Sequence, residues 1–261
     1  YYRTSRGGKK KGFSEADYKR LSGENVILTI DFEYQKILEE ELIKQIKKTN
    51  SETANGIIIN PYNGEILALA TVPSFDLNQN FRNDDQYRDY VSFYNYEPGS
   101  TLKAFSILAG IKNKKISLSD KYYCEQGRYY IPDIRRVIVD HDPYDTLSVK
   151  EILAYSSNIG MTKIASDIGK ADIYKMFKSV GFGQKTGIDS YNEEDGNLKK
   201  IENWDKHSLI SISMGQELQV TNLQIAMAYS AIANGGYLLK PQIVKEVSSE
   251  KIDSVSIIRK I

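Results

Sequence analysis

The sequence predicts an α/β fold of the α+β type, an antiparallel sheet flanked by helices. Three observations carry that prediction. Ala54–Asn60 and Glu65–Val72 are two nearly continuous apolar segments joined by Asn60-Pro61-Tyr62-Asn63-Gly64, a turn-rich link, and so read as a β-hairpin. Before them, Tyr34, Leu38, Leu42 and Ile46 recur every four residues with Ile37 alongside, the stripe of an amphipathic helix. After them, a series of helical patterns begins at Ser100 and ends at Asn234-Gly235-Gly236. Strands this apolar suit a sheet covered on both faces.

In chain order, residues 1–24 are polar, glycine-containing and basic, and read as a linker or the remnant of a preceding module. Val26–Ile30 has strand composition, and Asp31 suits the N-cap of the striped helix, whose last turn carries Lys44, Lys47 and Lys48. Pro73–Tyr96 is polar, aromatic and irregular. Pro98-Gly99 breaks the chain, and the apolar run Leu102, Phe105, Ile107, Leu108, Ala109 and Ile111 predicts a helix opening near Ser100. Residues 112–145 read as a loop-rich insertion with short strands, and Leu147–Tyr155 as a short helix. Tyr155–Gly160 is a polar knot before two helices over Met161–Ile168 and Ile173–Val180. Gly181–Asp195 is turn-rich, and Leu209–Met214 is apolar. Thr221–Ala233 is a helix with Leu223, Ala226, Met227 and Ser230 near one face, closed by residues that tolerate left-handed backbone. The last twenty residues have strand composition.

The 261 residues are 41% hydrophobic and 26% charged, enough for one large domain or for one domain with a small appendage. Thirty-five basic residues against 34 acidic ones leave a net charge of +1, which excludes a global field for nucleic acid. One cysteine, Cys124, excludes an internal disulfide and a cysteine-based zinc site. His141 and His207 are far apart and read as local hydrogen-bonding residues, so no metal or cofactor is expected. No apolar run approaches the roughly 18 residues of a membrane span.

The chemistry concentrates at Glu97-Pro98-Gly99-Ser100-Thr101-Leu102-Lys103-Ala104. On a helix, residues three apart share a face, so the Lys103 amine can approach the Ser100 hydroxyl. A serine needs an adjacent base to become a nucleophile, and a lysine serves once burial brings its pKa down. The start of a helix also favours developing negative charge. Spacing alone does not decide, because Ser248–Lys251 repeats it in a polar segment. Acyl transfer further needs a group to pass a proton to the leaving amine and amides to orient substrate. Ser156 and Asn158 offer a hydroxyl and a carboxamide two residues apart; the competing reading is a helix N-cap, and Ser190-Tyr191-Asn192 repeats the pattern.

Residues 97–104 closely resemble the Glu-Pro-Gly-Ser-Thr-x-Lys box of class B penicillin-binding proteins, the transpeptidases that cross-link peptidoglycan. The likeness extends over about Asn25 to Lys245. It includes Asn25–Asp31 with Gln35, Asn60–Ala70, Pro73-Ser74-Phe75-Asp76, Gly181-Phe182-Gly183, Thr186–Asp189, Asn203-Trp204, Gly215-Gln216, and Val220 to Gly236.

The resemblance implies a penicillin-binding-protein/β-lactamase-like fold: a mostly antiparallel sheet between helical layers, an all-helical subdomain holding the Ser-x-Asn loop, and a cleft between the two. Within it, Ser100 would be the acylated nucleophile and Lys103 its activating partner. Ser156 would relay the proton to departing D-alanine, and Asn158 would hold the substrate amide and orient Lys103. The Ser100 N–H would supply half of the oxyanion hole. The implied activity is D,D-transpeptidation of D-Ala-D-Ala stem peptides through a serine acyl-enzyme, with β-lactams as trapping acylators. Cell-wall or divisome proteins would be partners. Its implied site is the extracytoplasmic face of the inner membrane, with the anchor outside this sequence. A division role is favoured over elongation. The alternatives on the same fold are a β-lactam sensor, a non-catalytic wall-binding domain, or a hydrolytic relative. Lys185-Thr186-Gly187 looks like the family's third box but lies in a turn-rich segment, whereas that box belongs on a sheet-edge strand. The expectation is therefore that residues 25–261 are a transpeptidase domain incomplete at its C-terminus. Glu217 stands where a glycine is common in the family, and Asn222 where a proline is common.

Overall fold

The computed structural model describes residues 2–3, 9–10, 25–74, 90–188, 192–247, 250–251 and 255–261. Most of residues 1–24, Phe75–Asp76, Ser190-Tyr191 and Ser248 therefore lie outside the described residues. The chain divides into two units. The smaller, Tyr1–Leu28 with Val244–Ser254, contains a three-stranded antiparallel ladder in which β1 (Val26–Leu28) and Glu250–Lys251 flank Val244–Val247. The larger unit, Thr29–Ile243 with Val255–Ile261, holds every residue of the predicted chemistry.

In the larger unit the striped helix is α1 (Phe32–Thr49). Asp31 caps it, its Oδ1 accepting from the backbone N–H groups of Glu33 and Tyr34. Leu38, Leu42 and Ile46 are half-buried, while Tyr34 and Ile37 are exposed, so the inward face is narrower than the sequence stripe. Gln35 takes part of that face. Its amide donates to the Leu69 carbonyl at 3.0 Å and accepts from the Leu69 N–H at 2.9 Å, pairing with a strand as a backbone would.

The hairpin is as predicted: β2 (Ala54–Ile59) pairs antiparallel with β3 (Ile66–Val72), from Ala54 opposite Val72 to Ile59 opposite Ile66. Asn60 and Asn63 form the link, their side chains accepting from the Tyr62 and Glu65 N–H groups. Ile66, Ala68, Ala70 and Val72 alternate inward and are buried. The other described strands pair as short ladders rather than one continuous sheet.

Two apolar cores follow. One gathers Ile66 with Leu223, Met227, Ala231, Leu238 and Leu239, the sheet side. The other is helical. It joins α2 (Lys103–Lys112), α3 (Val149–Ala154), α4 (Asn158–Ile168) and α5 (Lys170–Ser179) through Phe105, Ile152, Ile164, Ile168 and Phe177. Phe182 meets both Phe105 and Phe177 edge-on, with ring centroids 5.4 and 5.7 Å away. Between α2 and α3 the insertion folds as short antiparallel ladders, including β4 (Arg128–Ile131) against β5 (Arg136–Val139). Of the apolar stretch Leu209–Met214, all but the C-cap Met214 lies in a helix, α6 (Lys206–Ser213), capped at its start by Asp205. α7 (Asn222–Ala233) opens with a Thr221–Gln224 capping box and closes on Gly235 and Gly236, at φ 87° and 103°.

Candidate active site

The nucleophile region is a 3₁₀ turn, Gly99–Leu102, that runs into α2. In such a turn residues three apart eclipse one another, and the Lys103 N–H closes it on the Ser100 carbonyl. Ser100 is exposed, and among the described residues its hydroxyl has no hydrogen-bond partner. Ser100 stands at the start of the turn, where N–H groups have no carbonyl one turn back.

Lys103 is buried, 1% exposed. Its amine donates to the Ser156 carbonyl at 2.6 Å, the Ser156 hydroxyl at 3.1 Å and Asn158 Oδ1 at 2.8 Å. Three acceptors match the three hydrogens of an ammonium. Burial pulls its pKa from 10.5 to about 8, against the opposing pull of the Asp140 carboxylate. A neutral fraction of this amine therefore exists near neutral pH, as a general base requires.

The Ser-x-Asn segment owes its shape to local chemistry. Ser156 takes a left-handed φ of 58° between α3 and α4, unusual for a residue with a side chain. That bend leaves both its carbonyl and its hydroxyl on the Lys103 amine. Ser157 is the N-cap of α4, its Oγ accepting from the Gly160 N–H at 2.9 Å. The N-cap and the polar cluster are thus one segment. Asn158 opens α4 and donates through Nδ2 to the Val139 carbonyl at 3.1 Å, which turns its Oδ1 toward Lys103.

The structure brings Lys103, Ser156 and Asn158 together by direct hydrogen bonds, and Ser100 lies one 3₁₀ turn before Lys103 along the backbone. Ser156, like Ser100, is an exposed residue, whereas Lys103 is buried. Lys185-Thr186-Gly187 is a loop, not a strand. It wraps the buried carboxylate of Glu193, which accepts from Thr186 N and Oγ at 2.5 Å each and from Gly187 N at 3.1 Å. Among the described residues no cluster of histidine, cysteine and carboxylate could hold a metal.

The family profile described as "Penicillin binding protein transpeptidase domain" matches residues 55–259. The chain belongs to the penicillin-binding protein transpeptidase family, in its class B branch. It is 31% identical over 242 residues to stage V sporulation protein D of Bacillus subtilis, covering 92% of this chain and 38% of that protein. It is 30% identical over 232 residues to the probable peptidoglycan D,D-transpeptidase PbpC of Pseudomonas aeruginosa, covering 86% and 40%. The solved transpeptidase domain of penicillin-binding protein 3 from Burkholderia pseudomallei superposes with a TM-score of 0.76 at 26% identity, over 89% of this chain and 64% of that one. Penicillin-binding protein 3 of Mycobacterium tuberculosis, complexed with aztreonam, superposes with a TM-score of 0.83 at 25% identity, over 91% and 54%. The chain spans about two fifths of the length of the curated relatives named here.

In this penicillin-binding protein domain the two departures from the family pattern have visible accommodations. Glu217 takes a left-handed φ of 57°, the conformation glycine accepts most easily. It is held there by its N–H on Glu97 Oε1 at 3.0 Å and its Oε2 under the Ser208 hydroxyl at 2.9 Å. Asn222 is the first residue of α7, where proline is tolerated because the N–H is unused. Its side chain instead accepts from the Tyr96 hydroxyl and donates to Asn55. Three supports of the site carry no local signal of that role in the sequence: Asp140, which accepts from the Ser157 hydroxyl and the Asn158 N–H; Gly215, whose carbonyl accepts from the Gly99 N–H; and Tyr229, whose hydroxyl donates to the Thr101 carbonyl. Asp140 sits at the end of a short strand in a loop-rich insertion, and no local pattern ties it to Asn158.

Proposed function

We propose that this chain is the acyl-transfer domain of a peptidoglycan D,D-transpeptidase. The observation that carries the reading is the buried Lys103 amine, hydrogen-bonded to both Ser156 and Asn158, on the residue that follows Ser100 by one turn of backbone. In the proposed reaction Ser100 Oγ attacks the carbonyl of the penultimate D-alanine, and its proton passes to neutral Lys103. The tetrahedral oxyanion forms beside the Ser100 N–H in the first turn. Ser156, already in contact with Lys103, relays the proton to the departing D-alanine nitrogen. This leaves a Ser100 ester, and the amine of a second stem peptide takes the acyl group and regenerates the serine. A β-lactam amide opens by the same attack and remains as the ester. Asn158 aligns the substrate amide through its remaining Nδ2 hydrogen.

The resemblance to named D,D-transpeptidases supports this reading, as does the likeness to a solved relative complexed with aztreonam. We further read the domain as acting outside the cytoplasmic membrane, on a membrane-anchored protein of the division machinery. The test is labelling of the full-length protein with a fluorescent penicillin. Wild type is expected to label and Ser100→Ala not to; equal labelling of both, or of neither, sinks the assignment.

A further inference from the structure

We propose that Asp140 is a positioning residue of the acyl-transfer site, holding the Ser-x-Asn segment in the one shape that presents Ser156 and Asn158 to Lys103. This rests on the acyl-transfer reading of Ser100 and Lys103 given above. Asp140 is 7% exposed, so its carboxylate requires partners, and it finds them all in the segment that binds the lysine. One oxygen accepts from the Asn158 N–H at 2.5 Å and the Ile159 N–H at 3.0 Å; the other accepts from the Ser157 hydroxyl at 2.6 Å. An anion on the first N–H groups of α4 is where helix geometry and dipole favour it.

The insertion delivers this carboxylate. Strand β5 ends at Val139, and the Asp140 N–H donates to the Gly127 carbonyl at 3.1 Å, continuing the pairing with β4. Val139 then supplies the carbonyl that orients the Asn158 amide. Two successive residues of one strand end thus fix Asn158: the Val139 carbonyl accepts from its side-chain amide, and the Asp140 carboxylate accepts from its backbone N–H. Ser156 precedes this clamp by one residue, and its left-handed φ of 58° is a conformation that persists only when its surroundings enforce it.

Asp140 also acts at a distance. Its charge raises the Lys103 pKa against the burial that lowers it. Its charge also reaches the Cys124 thiol and the Tyr144 hydroxyl, both pushed up chiefly by burial; Lys163, which faces Cys124, is paired with Glu125 at 2.7 Å. Asp140 is the charged group whose field reaches the Lys103 amine.

The experiment measures the acylation rate of the full-length protein by a fluorescent penicillin as a function of pH. Asp140→Asn keeps the shape and removes the charge. It is expected to lower the limiting rate by about 10- to 100-fold through displacement of Asn158. It is also expected to move the acid limb to lower pH, because Lys103 loses the anion that favours its ammonium. Ser157→Ala keeps the carboxylate and is expected to lower the limiting rate with the limb unmoved. An unlabelled wild type overturns the acyl-transfer reading itself. A labelled wild type with Asp140→Asn matching it in rate and limb overturns the role of Asp140, and so does a lowered rate with an unmoved limb. Should Asp140→Asn fail to fold, Ser157→Ala decides: a wild-type rate there removes the clamp.

Discussion

Gly215 packs so closely on Gly99 that a β-carbon added to it would overlap the Gly99 backbone. The two are also tied by the Gly99 N–H on the Gly215 carbonyl at 2.9 Å. The contact is one rung of a longer clamp. Tyr96 and Val220 exchange both backbone hydrogen bonds at 3.0 Å, and Glu97 accepts from the Glu217 N–H. The residue before the nucleophile is thus positioned by a segment more than a hundred residues later.

Gly215→Ala is therefore expected to disable the site. Its φ of 83° is unfavourable to any side chain, and the obstructing atoms are backbone that cannot rotate away. The loss of stability should exceed about 1 kcal/mol, with penicillin labelling falling further than the thermal midpoint accounts for. Labelling at the wild-type rate in the folded variant would show that the turn needs no such support.

The Lys103 shift sets the pH profile. Acylation requires the neutral amine, and the amine titrates at about 8. The rate should therefore rise by about tenfold per pH unit below that value and level off above it. The same shift affects stability. Between about 8 and the ordinary 10.5 the unfolded chain binds the proton that the folded chain has released, so stability attributable to Lys103 rises with pH through that window. Chemical denaturation across those pH values checks it, with Lys103→Met expected to flatten the slope.

The elements were legible where side chain and backbone act within one turn. Asp31, Thr221 and Asn234-Gly235-Gly236 mark helix ends in the sequence and mark them in the fold. The hairpin followed from its apolar runs and turn residues. Tyr34 and Ile37 misled because periodicity reports which residues share a face, not how much of that face is covered. Helix α6 was legible only as an apolar stretch, since Ser208, Ser211 and Ser213 interrupt its stripe while lying buried. At the site, Ser100, Lys103, Ser156 and Asn158 stood out as chemistry. Asp140 did not, because its partners are 17 to 19 residues away across a ladder whose register no local signal fixes.

The Lys185-Thr186-Gly187 loop provides a discriminating variant. Thr186→Val removes one hydroxyl from the Glu193 carboxylate, which keeps the two backbone N–H donors. A cost of about 1–3 kcal/mol is expected for a hydrogen bond to a charged group, with no change in the penicillin acylation rate. Should that rate collapse while the fold survives, the loop would have to be assigned to substrate binding after all.

Phe105 and Tyr229 form the remaining buttress of the nucleophile turn. Phe105 follows Lys103 by two residues and is fully buried, its ring 4.8 Å from that of Tyr229 in an edge-on contact. The Tyr229 hydroxyl donates to the Thr101 carbonyl at 2.7 Å, so α7 holds the turn by a ring and a hydrogen bond together. Phe105→Ala should cost about 3–5 kcal/mol. Tyr229→Phe, which keeps the ring, should cost about 0.5–1.5 kcal/mol. Tyr229→Leu loses the edge contact as well, and a double-mutant cycle with Phe105→Leu should return a coupling of about 0.5–1.5 kcal/mol. Thermal and denaturant unfolding of the four proteins measures it. A coupling near zero would mean that the two rings are neighbours without mutual support and that the hydrogen bond alone joins α7 to the turn.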